Sequence, residues 1–273
     1  MFYFIDFPQT KKLFEIFRDS DIEARFVGGC VRDAIIGKKT DDFDIAVKFD
    51  ISKLSEILEE NGIKVIPTGI KYGSITAIVD HMKFEITMLR GDINCNGRFC
   101  EIQQVSSFEE DAKRRDFTMN ALYLSESEEL FDYFNGLEDL KNGRVIFIGD
   151  PKMRIEEDYL RILRYYRFAA RFHDFSDRYR DVIQTEAHNI SKLSIERIQK
   201  ELFLILNEED NLEIFKMLKN NGIFENLNIE KYESLPKDSS IEQKALTLFG
   251  YETLVKVFRL PRSFKRTIKE LNR

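Results

Sequence analysis

FVGGCVRDAIIGKKTDDFDIAV, residues 26–47, sets a glycine pair, an arginine and two aspartates one residue apart inside a single apolar frame. ARFV reads as a strand that ends in Gly28-Gly29, and CVRDAIIG as a short helix. DDFDIAV then reads as a second strand. Alternation along that strand puts Asp42 and Asp44 on one face, while Phe43 and Ile45 turn to the other. Residues two apart on a strand lie roughly 6.5–7 Å apart at Cα, a span over which two carboxylates can converge on divalent cations. A third acid of the same kind is Glu85 in KFEITML, flanked by apolar Phe84 and Ile86. The plainer reading is a solvated face of an amphipathic sheet. The glycine turn with Arg32 in the following helix argues for the functional one. Glycines let backbone N–H groups approach phosphate, and Arg32 adds a mobile positive charge for the same group.

Outward from this stretch, strand-like runs fill the first 148 residues: ARFVGG, FDIAVKF, GIKVIPT, GSITAIVD, KFEITML, ALYL and RVIFIG. CVRDAIIG and SKLSEILEENG are the helices between them. After Pro151 the periodicity is helical throughout, in EEDYLRILRYYRFAARF, SIERIQKELFLILN, LEIFKMLKNNG and SFKRTIKELN. The reading is an α+β head over 1–148, a helical neck over 149–205 and a helical body over 206–273.

The composition excludes several classes. No apolar run reaches the ~18–20 residues that span a bilayer, so no membrane partner is expected. MFYFIDFPQTKK carries Asp6 and has neither a basic start nor a small-residue cleavage site, unlike a signal peptide. Three cysteines (Cys30, Cys95, Cys100) and three histidines without ligand spacing point to a reducing cytoplasm rather than a disulfide framework or a zinc site. Net charge is −6, but it is unevenly spread. Lys256, Arg259, Arg262, Lys265, Arg266, Lys269 and Arg273 face a single acid, Glu270, at the C-terminal end. A local basic face of this kind is what meets nucleic-acid phosphate.

GGCVRD…DDFDI resembles motif A of the class II tRNA nucleotidyltransferases, the CCA-adding enzymes and bacterial poly(A) polymerases. RRDFTMNAL (114–122), DYFNGLEDL (132–140), EDYLRILRYYRF (157–168) and LSIERIQKEL (193–202) resemble motifs B to E, in order. The resemblance implies a polymerase-β-like head followed by an all-helical neck and body. It implies attack of an RNA 3′-hydroxyl on the α-phosphate of a nucleoside triphosphate, with two Mg²⁺ and release of pyrophosphate. Asp42, Asp44 and Glu85 are then the catalytic carboxylates, with Asp42 and Asp44 as metal ligands. Gly28, Gly29, Arg32, Arg115, Asp116, Asn120, Asp158, Arg161 and Arg164 are the nucleotide-binding positions.

Two of these roles also have a physical reading. Arg114 and Arg115 can grip a triphosphate, and Asp116 can accept from ribose hydroxyls. In the helix after Glu157, Tyr159, Ile162, Leu163, Tyr166 and Ala170 form an apolar stripe, and Glu157, Arg161, Arg164 and Arg171 lie opposite it. Asp158 stands one turn from Arg161, so the two can present a base edge with acceptors and forked donors. The plainer alternative is a surface salt bridge.

VIPTGIKYGSIT and LRGDINCNGRFCEIQQV (89–105, with Arg90, Asp92 and Arg98) resemble stretches of the CCA-adding members. The expected partners are therefore tRNA, ATP and CTP. A poly(A) polymerase, an A-adding partner of a split system and a non-enzymatic RNA-binding relic remain as alternatives. The chain is also expected to lack most of the tail that follows the body in family members.

Overall fold

A computed structural model describes residues 2–93, 101–209, 211–226, 239–256 and 258–272. Arg98, Cys95, Cys100 and Arg273 lie outside the described residues. In chain order the strands are β1 (Ala24–Val27), β2 (Phe43–Val47), β3 (Lys64–Gly69), β4 (Ser74–Val79), β5 (Met82–Met88), β6 (Arg90–Ile93), β7 (Glu101–Gln104), β8 (Leu122–Leu124) and β9 (Leu130–Asp132). The helices of the same half are α1 (Pro8–Asp19), α2 (Gly29–Ile35), α3 (Ile51–Glu60), α4 (Phe108–Lys113) and α5 (Gly136–Lys141). Those of the second half are α6 (Pro151–Glu157), α7 (Leu160–Phe172), α8 (Arg180–Glu186), α9 (Ile195–Leu206), α10 (Asn211–Asn220), α11 (Ile223–Asn226), α12 (Ile241–Lys256) and α13 (Arg262–Leu271).

Seven strands form one sheet in the order β3-β4-β5-β2-β1-β8-β9, and β6 and β7 pair as a separate hairpin. Among the described residues β2–β5 is the one parallel pair, and it sets Asp44 beside Glu85 in register. The period-2 reading of DDFDIAV holds in part: Phe43, Ile45 and Val47 are buried and Asp44 is half-buried, but Ala46 on the Asp44 face is buried as well and Asp42 precedes the strand. Phe43 sits in an aromatic cluster with Phe4 and Phe84, at 5.5 and 5.7 Å between ring centroids, and Phe4 also meets Phe26 at 4.7 Å. Burying a side chain of this size contributes roughly 1.5–3 kcal/mol, so the apolar face of β2 fixes the strand and leaves its acidic face to the site.

RVIFIG is not a strand of the sheet. Its ladder reduces to an isolated bridge between Phe117 and Phe147, since β9, from residues 130–132, takes the place beside β8. The described chain divides into two compact units, one reaching Gly149 and the other running from Asp150 and including Gly143–Val145.

In the second unit α7 packs on α9 and α10, and α12 packs on α9 and α13. Ile162, Leu163 and Tyr166 of α7 are buried, as are Ile198, Leu202 and Ile205 of α9. The helix expected to run unbroken through EEDYLRILRYYRF is interrupted. Asp158 adopts φ −151° and ψ 105° between α6 and α7. Gly250, at φ 71°, likewise breaks α12 into two pieces. The start expected at Ser263 moves too: α13 begins at Arg262 with Pro261 as its N-cap, which leaves Ser263 inside the helix.

Candidate active site

β1 delivers the chain to Gly28, whose φ of 74° and ψ of −124° belong to a region open to glycine. A methyl group there would stand 3.4 Å from Arg115 Nη1 and 3.9 Å from Asp44 Oδ2. The turn is therefore the floor between a guanidinium and the acidic face of β2. The Gly28 N–H itself donates to the Leu122 carbonyl at 3.2 Å, so Gly28 supplies space and backbone direction. Gly29 opens α2, where the first amides of a helix have no partner within it.

Arg32 is buried rather than mobile. Its Nη1 donates to Asn120 Oδ1 at 2.6 Å, and its Nε donates to Asp33 at 2.8 Å. Asn120 Nδ2 in turn donates to Asp116 Oδ1 at 2.9 Å, the same oxygen that accepts the Phe117 N–H. Arg32, Asn120 and Asp116 are thus one connected network under the turn. The sequence brought Arg32 forward from one motif and Asp116 and Asn120 from another, and the structure joins them.

Arg115 is held by an acid that sequence reasoning passed over. Asp111 lies wholly buried on α4 and accepts from Arg115 Nη2 at 3.2 Å, Arg114 Nε at 2.8 Å and Tyr123 Oη at 2.7 Å. Its other task is at the hairpin, where it accepts the Arg90 N–H at 3.2 Å. Burial alone would raise the Asp111 carboxyl, but Arg115 and Arg114, with the Tyr123 hydroxyl, hold it down to about 2. Burial works against the Arg115 charge as well, and Tyr123, Asp111 and Asp44 more than restore it. A signal for α4 was present in SSFEE. Ser107 and Glu110 form a reciprocal capping box, which puts Asp111 in the first turn facing inward.

Burial comes first among the influences on Asp44 and pushes its carboxyl up to about 6. Asp42 and Glu85 push the same way, and Arg115 opposes them. Arg115 and the three acids therefore act on one another around Asp44, whose burial is the main reason its carboxyl is raised. Carboxylate oxygens are hard donors, the type that suits a hard divalent cation. Among the described residues no group of three or more His, Cys, Asp or Glu is gathered closely enough to hold an ion. Asp42 lies just ahead of β2 and Asp44 on it, with Glu85 exposed on β5 in register with Asp44.

The other nucleotide-binding positions belong to the second unit, and there the expected pairing is corrected. Asp158 does not pair with Arg161. Its Oδ2 accepts from Arg197 Nη2 at 2.7 Å and its Oδ1 from the Leu160 N–H at 3.1 Å. Arg161, buried rather than exposed, donates to Glu157 at 2.6 Å and to the Arg154 carbonyl at 2.8 Å. The reason is the break at Asp158, which takes it off the helix that carries Arg161. Arg164 stands 3.9 Å from Glu201 and 5.6 Å from the Phe168 ring centre, beside Arg167, which reaches the same Glu201 at 2.6 Å.

Residues 24–146 match the family described as the poly A polymerase head domain, and residues 174–230 match the one described as the probable RNA and SrmB-binding site of polymerase A. The human mitochondrial CCA tRNA nucleotidyltransferase 1 is 38% identical over 238 residues, covering 85% of this chain and 54% of the relative. A CCA-adding enzyme of Lactobacillus delbrueckii is 34% identical over 222 residues, 80% of this chain and 55% of the relative. The chain thus spans about half the length of these curated relatives. The Bacillus stearothermophilus CCA-adding enzyme in complex with CTP superposes with a TM-score of 0.76 at 23% identity, over 97% of this chain and 69% of the other. A tRNA nucleotidyltransferase complexed with a primer tRNA and an incoming ATP analog gives 0.72 at 22%, over 94% of this chain and 82% of the other. At these identities the two structures establish the fold: a polymerase-β-like head followed by a helical region.

Proposed function

The chain belongs to the class II tRNA nucleotidyltransferase and poly(A) polymerase family, and from that membership we propose that it adds C, C and A to tRNA 3′ ends from CTP and ATP. The observation that carries the reading is geometric: β2 and β5 set Asp44 beside Glu85 in register, and a methyl group at Gly28 would stand 3.9 Å from Asp44 Oδ2 and 3.4 Å from Arg115 Nη1. A site that breaks phosphoanhydride bonds needs both signs of charge within a few ångströms, acids to gather cations and a guanidinium for the phosphates.

Asp42 and Asp44 would hold Mg²⁺, which commonly takes one or two carboxylates from the protein and its other ligands from phosphates and water. When bound, the cations supply Lewis-acid polarisation of the α-phosphate and neutralise charge on the departing pyrophosphate. Glu85 completes the acidic face at which the RNA 3′-hydroxyl attacks. Gly28 leaves room for a triphosphate to approach backbone, and Arg115, fixed by Asp111, gives it a preset cation. Asp116, oriented by Asn120, accepts from the ribose hydroxyls. Asp158, Arg161 and Arg164 read the base edge, each separately anchored.

Among the described residues no helix is long and apolar enough to cross a membrane. The free, buried Cys30 suits a reducing compartment, and we assign the cytoplasm. The deciding experiment supplies tRNA ending before, within and after CC with labelled CTP or ATP separately. Two C additions followed by a single A support the reading. Long A tracts on any RNA end would replace it with a poly(A) polymerase, and A on CC-ended tRNA without C addition would make the chain an A-adding enzyme. Absence of any incorporation would leave an RNA-binding fold.

A further inference from the structure

Residues 2–23 precede the matched head segment, yet they reach its acidic strand. Tyr3 Oη donates to the Thr40 carbonyl at 3.0 Å and accepts the Thr40 N–H at 2.6 Å, so both backbone groups of one residue close on a single hydroxyl. The Thr40 side chain carries the contact onward, since its Oγ1 accepts the Asp42 N–H at 3.1 Å. Rings secure the other end. Tyr3 lies edge-on to Phe4 at 5.4 Å and to Phe7 at 5.8 Å, and both of those meet Phe43, at 5.5 and 6.3 Å. Phe43 is the residue between Asp42 and Asp44.

We infer that Tyr3 is a positioning residue for the carboxylate pair: it clamps Thr40 and thereby sets the backbone of Asp42 relative to β2. Asp42 lies just outside the strand, ahead of Phe43, and has no ladder bond to hold it in place. Lys38, Lys39, Thr40 and Asp41 before it form a polar connection with little apolar content to anchor it. A hydroxyl that satisfies a donor and an acceptor of the same residue fixes that residue's peptide planes as well as its position. A carboxylate pair that must share cations tolerates little displacement, because ligand geometry is set by the groups behind the ligands. The inference rests on the proposed reading of Asp42 and Asp44 as metal ligands.

The test uses Tyr3→Phe, which keeps the ring contacts and deletes the hydroxyl, and Thr40→Val, which deletes the acceptor for Asp42. Phe14→Leu is the control for plain loss of aromatic packing, since Phe14 meets Phe17 and Phe26 on the far side of the cluster. Amide hydrogen exchange is measured over residues 37–43, and Mn²⁺ affinity is measured without nucleotide or tRNA. Tyr3→Phe is expected to speed exchange at Thr40 by about fivefold, the scale of one lost hydrogen bond. It and Thr40→Val are expected to weaken Mn²⁺ by roughly tenfold, the low end for residues that support metal ligands. Incorporation at limiting Mg²⁺ falls and recovers at excess Mg²⁺, with the KM for CTP unchanged. Phe14→Leu lowers the melting temperature without moving Mn²⁺ affinity. Unchanged exchange at Thr40, or parental Mn²⁺ affinity in both hydroxyl variants, overturns the inference. A parent that binds Mn²⁺ but incorporates no nucleotide overturns the proposed reaction instead, and the exchange and Mn²⁺ results still decide the clamp.

Discussion

Asp158 gives its carboxylate to Arg197, 39 positions further along the chain, at 2.7 Å. Arg197 lies in the first turn of α9 and is part-buried, so the residue proposed to read the base is aimed by a second helix of the same unit.

If Asp158 is a base reader, Asp158→Ala loses discrimination among the four nucleotides more than it loses turnover. Arg197→Ala is expected to reproduce that loss at smaller amplitude, because the carboxylate stays but is no longer oriented. Single-nucleotide incorporation with each of CTP, ATP, GTP and UTP checks both variants. A uniform fall in rate with preference intact would reduce the pair to a brace between the α6–α7 junction and α9.

For the metal pair, Asp42→Asn and Asp44→Asn are each expected to lower incorporation of both nucleotides by more than about 100-fold, the scale on which a missing transition-state charge partner is felt. Their folds should survive. Asp44→Asn should in fact gain stability at pH 8 in ion-free buffer. Its carboxyl is raised by burial to about 6, so the folded state pays for ionisation as pH climbs from about 4 through 6. Urea unfolding at pH 4 and pH 8 should show the variant gaining on the parent only at the higher pH.

Asp111 works in the opposite direction. Its carboxyl is held to about 2 against an ordinary 3.8, so its contribution to stability is complete above about pH 4 and fades as pH falls through 2. Asp111→Asn strands two part-buried guanidiniums and should cost about 3 kcal/mol at neutral pH. The gap between parent and variant should narrow when unfolding is followed down from pH 5 to pH 2. A gap that stays constant would mean packing, rather than charge, is what Asp111 supplies.

On α13, Lys265, Arg266 and Lys269 are exposed, and Ile268 is the buried residue. Among the described residues the ion pair within this helix, Arg266 to Glu270 at 4.0 Å, is open to solvent on both sides and holds little. Replacing the three cations with Gln should weaken tRNA binding and flatten its dependence on salt. Each lost phosphate contact should remove roughly 0.7–0.9 from the slope of log K against log[salt]. Affinity for free CTP should stay the same. A parental salt slope would place the RNA contacts on another face.

What could be read from the sequence was local. DDFDIAV gave the buried face of β2, with Phe43, Ile45 and Val47, because a strand alternates with period two, and Gly28 marked a turn that glycine alone suits. RVIFIG misled because β-branched, apolar composition does not choose a neighbour, and the place beside β8 went to residues 130–132. EEDYLRILRYYRF misled for a related reason. Its periodicity carries straight through Asp158, and nothing nearby announces that Arg197 will hold that side chain away from helical geometry. The burial of Arg32 was hidden in the same way, because its partner Asn120 lies 88 positions further along the chain, while that of Arg161 turns on the break at Asp158, which brings the Arg154 carbonyl within its reach. The Tyr3–Thr40 clamp spans 37 positions and has no sequence signature at all.

The fourfold engagement of Asp111 bears on how such a protein can change over generations. Arg115 over the glycine turn, the tyrosine behind it and the first amide of the β6–β7 hairpin all lean on that one carboxylate. A substitution at 111, 115 or 123 therefore alters the worth of the residues at the other two positions. Neighbours that share a buried charge do not add independently. Drift here should be epistatic: variants tolerated singly at 115 or 123 in one background should fail in another, and the three positions should be inherited or replaced as a set. A combinatorial library over these three sites, sorted for folding alone, would show that dependence before any activity is assayed.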